Sequence, residues 1–141
     1  MRSKRKNPRL AAQRKADAAF SLYIRERDHW TCICCGWTAD KDDSKQRQQM
    51  HCGHLVRRGK QAVRYDEDNA HAQCFRCNKN HQHNHEVMTL RVIQKIGKKR
   101  HENLLIRAGQ LKQWKAEELL TMASEYLSDH ADLTTERMGA A

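Results

Sequence analysis

Apolar residues recur at spacings of three and four over 16–28, where Ala19, Phe20, Tyr23 and Ile24 share one side, predicting a helix with Phe20 and Ile24 in the core. Residues 38–48 are polar and aperiodic, predicting a loop. Met50 to Val56 reads as a short strand, Ala62 to Tyr65 as a returning strand, and 70–73 as a third. Between the last two, Asp66, Glu67, Asp68 and Asn69 are turn chemistry. A helix is predicted from about Cys77 through the histidine-rich stretch 80–85 to Ile96, with Gly97 as its cap. Leu104, Leu105 and Ile106 precede Gly109 in helical sequence, and a longer helix at about 112–128 places Leu119, Ala123 and Tyr126 on one face. These faces are core or a partner surface.

The pattern divides the chain into a basic, irregular arm (1–15), a main domain (16–108), a C-terminal helix (109–128) and a flexible tail (129–141). With 141 residues, 38% hydrophobic and 6% aromatic, one domain with a thin apolar core is expected. The net charge is +10, from 27 basic and 17 acidic side chains. Such a balance points to a polyanionic partner, with DNA first. No apolar run suggests a membrane span, a leader or a lipid anchor, so a cytoplasmic protein is expected. The arm carries seven bases, Arg5 and Lys6 among them, and no acid. It would lie against phosphates or simply be solvated.

Two cysteine pairs, Cys32 with Cys35 and Cys74 with Cys77, have metal-ligand spacing. In a reducing compartment this means metal rather than disulfides. Four thiolates leave zinc no open position, so this zinc would be structural. Cys34 and Cys52 are left over as small apolar residues.

Between the pairs lie His51 and His54, and Asn78 follows the last cysteine. A nuclease needs a base to deprotonate water, and imidazole titrates in a suitable range, making His54 the candidate. It also needs a cation against the phosphate oxygens. His51, Asn78 and His81 are the candidate ligands for that second metal, magnesium or manganese. Simpler roles stay open: a core or phosphate-binding histidine for His54, a helix cap for Asn78, solvated positions for His81, His83 and His85. Arg57, Arg58, Lys60 and Arg64 would hold the DNA backbone.

A strand ending in histidine, a turn with asparagine, then Cys77 and Asn78 opening a helix resembles the HNH (ββα-metal) nucleases. The segments Cys32–Gly36, His51–His54, Arg64–Asn69 with His71 and Cys74, Cys77-Asn78 and Ile96-Gly97 are similar to the NinG/Rap family of lambdoid-phage recombination proteins. The cysteine-asparagine pair also looks like the zinc site of the Holliday-junction resolvase endonuclease VII of a T-even phage. The resemblance implies an α+β fold: a small zinc-bound ββα-metal core, treble-clef-like, with an N-terminal helix and C-terminal helices. It implies an endonuclease that cuts branched DNA, Holliday junctions included, during phage recombination in the host cytoplasm. By position, His54 becomes the general base, Asn69 orients it or its loop, and Asn78 binds the catalytic metal. One departure stands out. The position before the base, normally a metal ligand, is Gly53, and His51 on the same strand face would replace it.

Symmetric cutting of a four-way junction would call for a two-fold homodimer, which the C-terminal apolar faces could provide. Three other readings remain: a non-catalytic zinc DNA-binding accessory, a protein acting only with a recombinase partner, and a site-specific HNH enzyme.

Overall fold

The computed structural model describes residues 6–139, without the side chains of 81–84. Helices α1 (Pro8–Arg27) and α2 (Ser44–Gln48) precede strand β1 (Met50–His54) and a short 3-10 turn (Gln61–Val63). Strand β2 (Ala70–Cys74) then leads into α3 (Phe75–Lys79), α4 (His81–Ile96), α5 (Lys98–Ala108) and α6 (Ala116–Gly139). The result is a mixed α+β fold in which one antiparallel hairpin is held among helices.

Helix α1 starts eight residues before the expected boundary. Asn7 caps it, its side chain accepting from the amides of Arg9 and Leu10, and Pro8 supplies a first-turn φ already suited to a helix. The expected irregular arm is therefore helical from Pro8 onward, with Ala12, Gln13 and Ala16 buried; Arg5 lies outside the described residues. Helix α6 also overruns its expected end. Residues 129–139 continue as helix because Arg137 reaches back to the first helix, its Nη1 lying 3.0 Å from the buried Glu26 carboxylate. At the other end Arg9 Nε donates to the Trp114 carbonyl oxygen at 3.0 Å, so α1 and α6 run side by side in the same direction. Their seam is Ala12, Ala16, Ala19 and Phe20 against Leu119 and Ala123, with Tyr126 against its edge.

The hairpin pairs Met50 with Cys74, Cys52 with Ala72 and His54 with Ala70. The side chains of β2 are buried on both faces. A second cluster, Trp30, Cys32, Ala39, Met50, Ala72 and Cys74, fills the space beneath the cysteines. A third, Leu55, Val63, Met88, Val92 and Leu104, seats α4 and α5.

The strand expected at 62–65 is instead the 3-10 turn and the turn after it. The amides of Val63 and Arg64 turn back to the carbonyls of Lys60 and Gln61, and one side chain ties this turn to the end of the first strand. Asn69, fully buried, accepts from the Val56 amide at 2.7 Å and donates to the carbonyls of Val56 and Val63 at 2.9 and 3.0 Å. The helix expected from Cys77 begins at Phe75 and breaks at Asn80 before α4 resumes. Gly97, with φ of +88°, separates α4 from α5. Among the described residues no helix is long and apolar enough to cross a membrane.

Candidate functional site

Four sulfurs converge where the hairpin leaves its second strand. After α1, His29 and Trp30 both take φ of +54°, which turns the chain into a tight knuckle. Gly36, at φ +78°, closes it, so that the Cys32 amide donates to the Trp37 carbonyl and the Gly36 amide to that of Cys32. Cys74 ends β2 and Cys77 sits in the turn that follows, one helical turn away. The sulfurs of Cys32, Cys35, Cys74 and Cys77 all lie within 4.8 Å of one another, and Cys35 Sγ is 3.7 Å from Cys74 Sγ. Zinc–sulfur bonds of about 2.3 Å in a tetrahedron give sulfur–sulfur edges of roughly 3.8 Å, so the four fit a zinc ion.

The thiols restrain one another. Contacts with the Cys34 thiol and nearby amides hold Cys32 well below its ordinary value of 9.0, despite burial. Burial and the neighbouring sulfurs push Cys35 and Cys77 up. Full ionisation of such a group requires a cation among the sulfurs. Cys34 lies outside the four and accepts a hydrogen bond from Gln73 Nε2 at 3.3 Å. Cys52 is pushed up to about 12 by burial, as befits an apolar packing residue.

Beside this centre a cleft of about 380 Å³ is lined by His51, Cys52, His54, Arg57, Arg58 and Asn78. The structure thus brings Asn78 together with His51, 27 residues upstream, and with His54 on the same strand. Asn78 lies one residue beyond Cys77, which fixes it against β1; its Nδ2 is 3.2 Å from His51 Nδ1. Ligands in neighbouring positions around a magnesium ion, with bonds of about 2.1 Å, lie roughly 3.0 Å apart. A carboxamide oxygen turned to that position and the imidazole nitrogen would suit such an ion, with water and phosphate completing its shell. His81 has no described side chain. His85, one turn further, sets Nε2 3.1 Å from the Leu55 carbonyl oxygen.

His54 closes β1. Its Nε2 is 2.9 Å from the Arg64 carbonyl oxygen. A carbonyl only accepts, so Nε2 carries the proton and Nδ1 keeps a lone pair. Burial lowers the imidazole to about 4, with Arg58 and Arg64 pressing the same way. His54 is thus a neutral imidazole across the whole physiological range. Asn69 touches the loop around His54 rather than His54 itself, tying the residues after β1 to the 3-10 turn.

Arg57, Arg58 and Lys60 are exposed on the turn after β1, and Lys6 is exposed at the start of the described chain. Arg64 is committed elsewhere. Its Nε and Nη2 donate to the Asp17 carboxylate at 2.9 and 2.6 Å, and Nη1 donates to the Arg58 carbonyl. Asp17 also accepts from the Tyr65 hydroxyl at 2.7 Å. Burial would raise Asp17, but Arg64 and Tyr65 outweigh it and its carboxyl titrates below the usual range. Sequence reasoning missed this clamp, although Asp17 is the first acid in a chain that opens with seven bases.

The second overlooked residue is Gln73. It is 1% exposed, and its Oε1 has no hydrogen-bond partner. A Cβ built on Gly53 would lie 2.2 Å from that oxygen. Gly53 is therefore bare because the side chain of the neighbouring strand occupies its space. His71, also fully buried, directs Nε2 to the Asp68 carbonyl and Nδ1 to Lys95 Nζ at 3.1 Å; burial and Lys95 lower it to about 4. It is a structural histidine that joins β2 to α4.

The family described as Bacteriophage Lambda NinG protein matches residues 1–136. Curated relatives called Protein ninG share 28% identity over 136 residues in Escherichia phage 933W and in Escherichia phage lambda, and 29% over 146 residues in Salmonella phage P22. These alignments cover 95% of this chain and 63–64% of the relatives, so the chain spans under two thirds of their length. No solved structure matches it. On the family match along nearly its whole length, the chain belongs to the NinG family.

Proposed function

We propose that this protein is a metal-dependent endonuclease with a ββα-metal, HNH-type site that cuts branched DNA, Holliday junctions or related recombination intermediates. One observation carries the reading. His54, a neutral imidazole held through Nε2, lines the same basic cleft as His51 and Asn78, directly beside a four-cysteine centre.

The chemistry follows from these groups. His54 Nδ1 takes a proton from a water molecule; the water oxygen bonds to phosphorus while the bond to the 3′ oxygen breaks. The Arg64 carbonyl holds the ring in place through Nε2 and favours the imidazolium that forms. His51 and Asn78 would hold a magnesium or manganese ion, which supplies positive charge to the phosphate and the departing oxygen. The exposed Arg57 and Arg58 would grip the backbone, a contact that reads shape rather than base sequence. Zinc at the four cysteines would fix α3, and with it Asn78, against β1.

A non-catalytic zinc module is the second reading. It is favoured by the lack of any carboxylate in the candidate catalytic ligand set; among the described residues only the four cysteines form a cluster of three or more histidine, cysteine or acidic ligands. One experiment separates the two. Protein of measured zinc content is given four-way, flapped and linear DNA with magnesium or manganese. The enzyme predicts cutting that His54→Ala abolishes while zinc content and DNA affinity persist. Binding without cutting in the wild type, with each metal and each substrate, would establish the module instead.

A further inference from the structure

On the outer side of the four-cysteine centre lies a second recess, about 470 Å³, lined by Trp37, Gln49, Phe75 and Arg76 together with Cys35 and Cys77. Two large rings stand open to solvent there, Trp37 at 38% and Phe75 at 48% exposure. Phe75 is the first residue of α3, held by its amide's hydrogen bond to the Gln49 carbonyl at 2.7 Å. Its ring meets the His51 ring edge-on at 5.7 Å, so the recess adjoins the cleft. Lys79 Nζ lies 5.9 Å from the Phe75 ring, and Arg76 is exposed beside it.

We infer that this recess is a stacking site for an unpaired nucleobase of the DNA, with Phe75 and Trp37 as the platform and Arg76 and Lys79 holding the flanking phosphates. The inference rests on the nuclease reading for its place beside the cut and deepens it by naming the feature of the substrate that is read. Aromatic rings exposed among cations are the surface that single-stranded DNA uses, because every base has a stacking face and every nucleotide a charge. The floor of the recess selects the base over the phosphate. With zinc bound, four thiolates around the dication would leave net negative charge there, which would repel a phosphate and accept the neutral face of a base. A perfect duplex keeps its bases stacked and paired, whereas branch points and flaps present unpaired ones. The recess thus gives a reason for preferring branched DNA that phosphate contacts alone cannot supply.

The test uses zinc-loaded full-length protein carrying His54→Ala, so that nothing is cut. Affinities for an oligothymidylate of eight nucleotides and for a duplex of equal length are compared by tryptophan fluorescence and by anisotropy at one salt concentration. Single-stranded DNA should quench Trp37, and Trp37→Phe should remove that component. Phe75→Ala should weaken the single strand by about 5- to 150-fold, the range for one stacked base, and the duplex by less than about 2-fold. Phe75→Tyr should restore binding, since a stacking face returns without new charge. Equal weakening of both DNAs, or no Trp37 quenching in the parent protein, would overturn the inference. Zinc content is checked for each variant, and if Phe75→Ala releases zinc the Trp37 quenching decides. Loss of selectivity here, with His54-dependent cutting seen in the separate wild-type assay, would remove the stacking site and leave the nuclease. Selective single-strand binding here, with no cutting by wild-type protein in that assay, would do the reverse.

Discussion

Adding one methyl group at Gly53 tests the packing beneath the candidate base. The φ of Gly53 lies outside the left-handed region, so alanine meets no backbone penalty there. In the unfolded chain the change even favours folding, by about 0.4–1 kcal/mol. Any net loss must come from contact. The new Cβ would sit 2.2 Å from Gln73 Oε1 and 3.0 Å from Gln73 Cβ and Cδ. The oxygen could swing away, but the Cβ belongs to β2 and cannot move without the strand. Displacing the side chain also breaks its hydrogen bond to Cys34 Sγ. Overpacking of this kind costs about 1–3 kcal/mol, and the lost hydrogen bond adds to it. Gly53→Ala should therefore destabilise the protein by about 2 kcal/mol net, measured by urea unfolding followed by circular dichroism. The decisive arm is the double variant with Gln73→Ala. With Gln73 truncated the clash disappears, so Gly53→Ala should then cost little, giving a coupling above about 1 kcal/mol. Additive effects, within about 0.5 kcal/mol, would refute the claim that Gln73 fills the space of the missing side chain.

Buried neutral imidazoles make stability fall in acid. His54 and His71 titrate near 4 when folded, against an ordinary 6.5, so as pH drops the unfolded chain takes up protons first. Their contribution is complete above pH 6.5 and is lost between 6.5 and 4, roughly 3 kcal/mol for each. Urea unfolding from pH 7 to 5, with zinc retention monitored, should show the decline, and ring-proton titration near 6.5 by NMR would contradict it. Arg137→Met should cost about 3 kcal/mol by leaving the buried Glu26 carboxylate without its cation. Adding Glu26→Gln should recover most of that in thermal denaturation; no recovery would mean that Arg137 acts only by packing. Asn69→Ala removes three hydrogen bonds of a buried amide and should cost about 2–4 kcal/mol. Under the nuclease reading it should also slow cutting at saturating DNA, and a rate equal to wild type would show that the loop does not position the base.

Much of the hairpin was legible because its chemistry is local. Cys74 and Cys77 announce a candidate metal site by spacing alone, and the strand expected at Met50 to Val56 forms over Met50–His54. The strand expected at 62–65 fails for a reason no periodicity carries: its amides bond back to Lys60 and Gln61, and Asn69, several residues later, fixes the turn through the Val63 carbonyl. The early start of α1 was hidden by its charge. Arg9, Arg14 and Lys15 suggest a solvated arm, yet they flank Ala12 and Ala16, whose small side chains let α6 approach. The late end of α6 depends on Arg137 finding Glu26 across 111 positions of chain, a pairing invisible to any window. Gly53 has the same character, since its emptiness is explained only by the strand opposite. Arg64 looked like a phosphate contact because its partner, Asp17, lies 47 residues upstream.

The grip of Asp17 on Arg64 reaches further than one ion pair. Arg64 offers its backbone oxygen to His54 while its guanidinium is moored to the first helix, so the aim of the imidazole is set by where that helix lies. The first helix is in turn braced along its length by the last. A substitution deep in that two-helix brace would therefore turn the His54 ring while the cysteine centre stayed whole, and under the nuclease reading it would slow cutting from a distance.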